Sequence, residues 1–174
     1  MFKVLLTLLV ILILFAGVTL WRANAREAAS EAAYPPEGQI IDVDGHPVHA
    51  VVRGTGPDLV LIHGASGSTR DYTFSLADQL SENYRVIIFD RPGLGYTPRL
   101  HERGEHLKEQ ADLLAGAAQK LGADAPIVVG HSFGGAVSLA WAVHHPAKMS
   151  AMVLLASPSN LWTTPIDPLY RATS

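Results

Sequence analysis

The sequence predicts an α/β domain: a mostly parallel sheet with helices on both faces, entered through an antiparallel hairpin and preceded by a hydrophobic N-terminal helix. Three observations predict it. Asp44-Gly45, the dipeptide type that most favours a tight hairpin, lies between two strand-like runs. From Gly38 onward, short continuous runs of β-branched and apolar residues alternate with helical patterns, as strands buried on both faces do. Ahead of them, Val4 to Trp21 is an uncharged apolar run of about 18 residues, the lower limit for crossing a bilayer as a helix.

Residues 1–21 are therefore read as a membrane anchor or signal segment. Lys3 supplies a short positive start, and Ala23-Asn24-Ala25 has the small-x-small form of a cleavage site. The apolar run nevertheless exceeds the usual signal core of about 7–15 residues, which favours an uncleaved single-pass anchor over export after cleavage near Ala25. Lys3 on one side and Arg22 and Arg26 on the other leave the orientation open. Residues 22–37, Ala- and Glu-rich and closed by Pro35-Pro36, read as a linker or short helical stalk.

Residues 38–160 carry the alternation. Gln39–Val43 and Pro47–Val52 form the hairpin, and Leu59–Ile62 is the first buried strand. A modest helical pattern follows over Asp71–Leu80, with Leu76, Ala77 and Leu80 on one face. Arg85–Phe89 is the next strand. Leu107, Ala111, Leu114, Ala118 and Leu121 recur on one face of an amphipathic helix that Gly122 stops. Ile127–Val129 is a strand, Phe133–His145 a helix that must end before Pro146, and Met152–Leu155 a further strand. In such sheets ligands bind at the carboxyl ends of the strands, which directs attention to the residues after Ile62, Phe89, Val129 and Leu155.

Thirteen basic against sixteen acidic side chains give a formal charge of -3, so no electrostatic footprint for nucleic acid is present. The absence of cysteine excludes disulfides, thiolate metal sites and a cysteine nucleophile.

After Val129 comes Gly130-His131-Ser132-Phe133-Gly134-Gly135. The G-x-S-x-G pattern occurs by chance in loops, but here strand, motif and helix follow in immediate succession. A serine on a sharp strand-to-helix turn needs neighbours without bulky substituents, and its hydroxyl then projects at the positive end of a helix. Ser132 is thus the candidate nucleophile. His63-Gly64-Ala65-Ser66-Gly67, directly after the Leu59–Ile62 strand, can aim a backbone N–H at the same space. Acyl transfer needs two such donors for its oxyanion, and the amides of Ala65 and Phe133 are the candidates. Asp90-Arg91-Pro92-Gly93-Leu94-Gly95-Tyr96 completes no G-x-G-x-x-G and has Pro92 in the turn, so a dinucleotide loop is set aside. Asp90 and Arg91 are read as tying that loop together by hydrogen bonds.

The order HGASG, FDRPGLGYT, GHSFGG, each motif after a strand, resembles the α/β-hydrolase fold superfamily, in particular its esterase, lipase, haloperoxidase-like and epoxide hydrolase branch, over residues 38 to 160. The resemblance implies a serine hydrolase acting on a small-molecule ester-like or acyl carbonyl substrate, with no metal or organic cofactor. Serine rather than aspartate at 132 resembles the ester- and acyl-cleaving members. Residues 161–174 resemble the start of a cap insertion.

The resemblance also implies a triad in the order Ser, Asp or Glu, His, and here no histidine is a comfortable partner. His46 and His49 lie in the hairpin, His63 in the oxyanion loop, and His101 and His106 ahead of the amphipathic helix. His131 is inside the motif, and His144 and His145 are at the far end of the helix that Ser132 starts, more than about 15 Å away. Asp167 is a weak candidate for the acid. The sequence reads as the N-terminal part of an α/β-hydrolase lacking its catalytic acid and histidine; the alternative is an inactive membrane-anchored binding or assembly module of the same fold. A strand edge left uncovered would make the chain marginally stable.

Overall fold

The computed structural model describes residues 2–102 and 105–159. The expected cap start at 161–174 and Asp167 lie outside the described residues. The chain divides into two compact units, Met1–Pro36 and Glu37–Ser174.

The first unit holds one helix, α1 (Phe2–Ala33), which runs on through most of the segment read as a linker. None of its residues is buried, and it is long and apolar enough to cross a membrane.

The second unit is a six-stranded sheet in the order β1-β2-β4-β3-β5-β6, with β1 (Gln39–Val43), β2 (His46–Arg53), β3 (Asp58–Ile62), β4 (Arg85–Phe89), β5 (Ile127–His131) and β6 (Ala151–Leu155). β1, β2 and β4 pair antiparallel; β4, β3, β5 and β6 are all parallel. The hairpin turn is the expected one: Val43 pairs with His46 across Asp44 and Gly45, both at positive φ (54° and 88°), the twist-matched two-residue form.

Alternation along β3 and β4 divides their side chains between two cores. Val60 and Ile62 of β3 and Ile87 and Phe89 of β4 join Leu114, Val137 and Trp141 from α4 (Leu107–Lys120) and α5 (Phe133–His144). Leu59, Leu61, Val86 and Ile88 join Tyr72 and Ala77 from α2 (Arg70–Thr73) and α3 (Leu76–Ser81) on the other face.

Two short helices stand where the sequence suggested one over Asp71–Leu80. Ser75 leaves the helical region (φ -159°, ψ -57°), and the Thr73 carbonyl accepts from Arg53 Nη1 at 3.0 Å rather than serving a continuing helix. The Tyr72 hydroxyl, which donates to the Ile62 carbonyl at 3.1 Å, pins α2 to the end of β3.

Among the described residues β6 pairs only with β5, and Val153 and Leu155 are 43% and 42% exposed.

Candidate active site

The carboxyl ends of β3, β4 and β5 bring three loops together. β5 runs into Ser132, which sits at φ 52° and ψ -123° as the residue capping α5. A non-glycine residue holds such a conformation only when its surroundings over-determine it. Here the Ser132 N–H donates to the Leu155 carbonyl at 2.8 Å, and its own carbonyl accepts from the Gly135 N–H at 2.9 Å. The turn is as tight as backbone allows. A Cβ at Gly134 would run into the carbonyl oxygens of Ile62 and His63, and one at Gly130 into Gly134 and Gly135, so α5 starts with its backbone against the end of β3.

Across from this elbow lies the loop after β3. Gly64 is buried, and a Cβ there would be 3.1 Å from Ser132 Cβ and 3.3 Å from His131 Nδ1, so loop and elbow are in contact. The Gly67 N–H closes a turn onto the Gly64 carbonyl at 3.4 Å with Ser66 at φ 55°, leaving Ala65 and Ser66 exposed at the tip. Among the described residues, neither the Ala65 nor the Phe133 amide N–H has an acceptor.

The loop after β4 holds both. Asp90 is buried and accepts from Thr69 N–H (2.7 Å), Tyr96 N–H (2.9 Å) and His49 Nδ1 (2.6 Å), while a Cβ at Gly95 would strike its carboxylate. Burial works to raise the Asp90 pKa, but the bonds from His49, Tyr96 and Thr69 hold it below the usual carboxylate range. Arg91 is buried too. Its Nε donates to the His63 carbonyl (3.0 Å), Nη2 to the Gly64 carbonyl (2.8 Å) and Nη1 to Gln110 Oε1 (2.9 Å), and its guanidinium lies 4.8 Å from the centre of the Phe133 ring. Burial lowers its pKa to about 10, so it stays charged at neutral pH.

His63 is a neutral part of this framework. Its Nε2 accepts the Arg91 backbone N–H at 3.0 Å, which leaves Nδ1 as the protonated nitrogen, donating to the Gly64 carbonyl at 2.9 Å. Burial, with the Arg91 charge, holds its pKa below the ordinary value.

Residues 57–172 match the family model described as alpha/beta hydrolase fold. The chain belongs to the alpha/beta hydrolase family. It is 37% identical over 135 residues to a dihydrolipoyllysine-residue acetyltransferase component of an acetoin cleaving system from Cupriavidus necator, covering 76% of this chain and 34% of that one. It is 39% identical over 111 residues to a pimeloyl-[acyl-carrier protein] methyl ester esterase from Vibrio atlanticus, covering 61% and 38%. A crystal structure of a meta-cleavage product hydrolase from Pseudomonas fluorescens IP01 superposes with a TM-score of 0.65 at 27% identity, over 72% of this chain and 47% of that one. The chain thus spans a little over a third of the length of these two curated relatives.

In this alpha/beta hydrolase the three sequence-derived site residues, Ser132, Ala65 and Phe133, fall on two loops that touch. Among the described residues no side chain hydrogen-bonds to the Ser132 hydroxyl. Three of the histidines bond away from Ser132: His49 with Asp90 and the Glu37 carbonyl, His101 with Glu109, His145 with Asp112. His49 and the reach of Arg91 are what the sequence reading left out. The signal available was a polar residue at an inward position of β2, between Val48 and Ala50.

Proposed function

We propose that this alpha/beta hydrolase is a serine hydrolase in which the Ser132 hydroxyl attacks an ester-like or acyl carbonyl. Its oxygen bonds to the carbonyl carbon, the π pair moves onto the carbonyl oxygen, and the amides of Ala65 and Phe133 hold that oxyanion. Collapse expels the leaving group, which takes the proton that the serine has lost, and water or another acceptor releases the acyl group. No described residue is assigned as the base or as its acid partner. A serine with no base retains part of its reactivity through the oxyanion hole and binding alone.

The observation that carries this reading is Ser132 at φ 52°, ψ -123°, at the start of α5 and against Gly64. A short-chain p-nitrophenyl ester tests it. Wild type releases nitrophenolate above the buffer rate and Ser132→Ala does not; equal rates, or none from a folded wild type, overturn it. The second reading, a membrane-anchored binding or assembly module, draws on the Ser132 hydroxyl having no described partner.

The domain assignment goes with the proposal: 1–21 as a single-pass membrane anchor, 22–37 as linker, 38–160 as hydrolase. The exposed apolar surface of α1 supports the anchor. Retention in the membrane pellet after alkaline carbonate extraction supports an anchor, and release of a shortened soluble form supports cleavage near Ala25 instead.

A further inference from the structure

Arg91 is a cation buried beside the elbow with only neutral oxygens as hydrogen-bond partners: the carbonyls of His63 and Gly64 and the amide of Gln110. Burial opposes this cation, the Glu105 charge favours it without a hydrogen bond to it, and apolar residues of similar size serve packing as well or better. Packing alone is therefore a poor reason for a guanidinium at this place.

Its contacts supply a better one. The Gly64 carbonyl and the Ala65 N–H are the two ends of a single peptide group. That carbonyl accepts three bonds, from Arg91 Nη2 (2.8 Å), His63 Nδ1 (2.9 Å) and Gly67 N–H (3.4 Å). Hydrogen bonds along a chain polarise one another, and a charged donor does so most strongly. Drawing electron density toward the Gly64 oxygen makes the Ala65 N–H a stronger donor, and three bonds on one oxygen fix the plane in which it points. The same guanidinium packs on the Phe133 ring, whose residue supplies the other free amide. Through its own backbone N–H, Arg91 also sets the His63 tautomer that provides the second of the three bonds.

We propose that Arg91 is the positioning residue of the oxyanion hole, polarising and orienting the Ala65 amide through the Gly64 carbonyl and steadying Phe133. The proposal rests on the reading of Ser132 as nucleophile and of Ala65 and Phe133 as donors. Arg91 touches no substrate and acts only through these groups.

The test uses the full chain in detergent with a fluorophosphonate probe. Phosphonylation forms a P–O bond to Ser132, expels fluoride and loses the serine proton to solvent, placing negative charge on the phosphonyl oxygen. Removing one oxyanion donor outright costs about 100- to 1000-fold, so weakening one is expected to cost about tenfold. Arg91→Met should label about tenfold more slowly than wild type at a temperature where both are folded. Arg91→Lys, which restores the charge, should recover to within about threefold. The Ala65 amide proton, read by NMR, should move upfield in Arg91→Met, a change that loss of stability alone does not produce. Labelling of Arg91→Met within twofold of wild type overturns the proposal. If folded wild type fails to label, the nucleophile reading falls, and the Ala65 resonance alone decides: an upfield shift supports the role of Arg91, an unmoved resonance overturns it. If Arg91→Met does not fold, wild type is compared with Arg91→Lys, where equal rates and an unmoved Ala65 resonance overturn it and a slower rate with a shifted resonance supports it.

Discussion

His49 Nδ1 lies 2.6 Å from Asp90 Oδ2, and both side chains are sealed from solvent. The other ring nitrogen, Nε2, faces the Glu37 carbonyl, which can only accept. With an acceptor on each side, the ring is best satisfied as an imidazolium paired with the Asp90 carboxylate. The pair joins β2 to the loop after β4, the loop that also positions Arg91.

This pairing predicts a pH optimum of stability. Burial acts to lower the His49 pKa, but the bonds to Asp90 and Glu37 and the Asp90 charge raise it above the ordinary value, while Asp90 is held below its own. The histidine part of the stability is therefore present below about pH 6.5 and lost as pH rises through the raised pKa; the aspartate part is present above about pH 4 and lost as pH falls through the lowered one. The urea midpoint should be higher at pH 6 than at pH 9. His49→Gln should remove most of that alkaline decline. An equal decline in both proteins would show that the pair is not charged as described.

Gly134→Ala tests the contact that starts α5. The added methyl meets the carbonyl oxygens of Ile62 and His63, which are backbone and cannot step aside. Overpacking of this kind costs about 1–3 kcal/mol, and the start of α5 must withdraw from β3 to relieve it. Denaturant unfolding should show a loss in that range, accompanied by slower labelling of Ser132. A stability unchanged within about 0.5 kcal/mol would mean that the approach is looser than described.

The β6 edge predicts self-association. Among the described residues, Val153 and Leu155 are exposed on a strand that pairs on one side only, and Val143 of α5 is 72% exposed. Open apolar edges template pairing with other chains, and a lysine on the edge opposes it. Light scattering of the detergent-solubilised chain should rise with concentration, and Val153→Lys should reduce the rise. Equal scattering from the two would remove β6 as the cause.

How far the sequence discloses this arrangement depends on whether an element is decided locally. The Asp44-Gly45 hairpin, the strand Arg85–Phe89 and the helix stopped by Gly122 follow from turn chemistry and periodicity, and the structure has all three. The break at Ser75 depends on Arg53, some twenty residues away, taking the Thr73 carbonyl, which no local pattern records. The elbow was legible because its glycines and serine are contiguous. The bonds of Asp90 within its own loop are of the kind expected, as with Tyr96, but the partners His49, His63 and Gln110 come from β2, the loop after β3, and α4, and only the sheet order β2-β4-β3 and the packing of α4 on it bring them to Asp90 and Arg91.

The central claim is that Ser132 is held as a nucleophile. The most direct measurement is to treat the folded full chain with a fluorophosphonate and map the adduct by peptide mass spectrometry. The account predicts one adduct per chain, on the peptide containing Ser132, and none in Ser132→Ala. An adduct on another residue, or no adduct on a chain shown by circular dichroism to be folded, would contradict it.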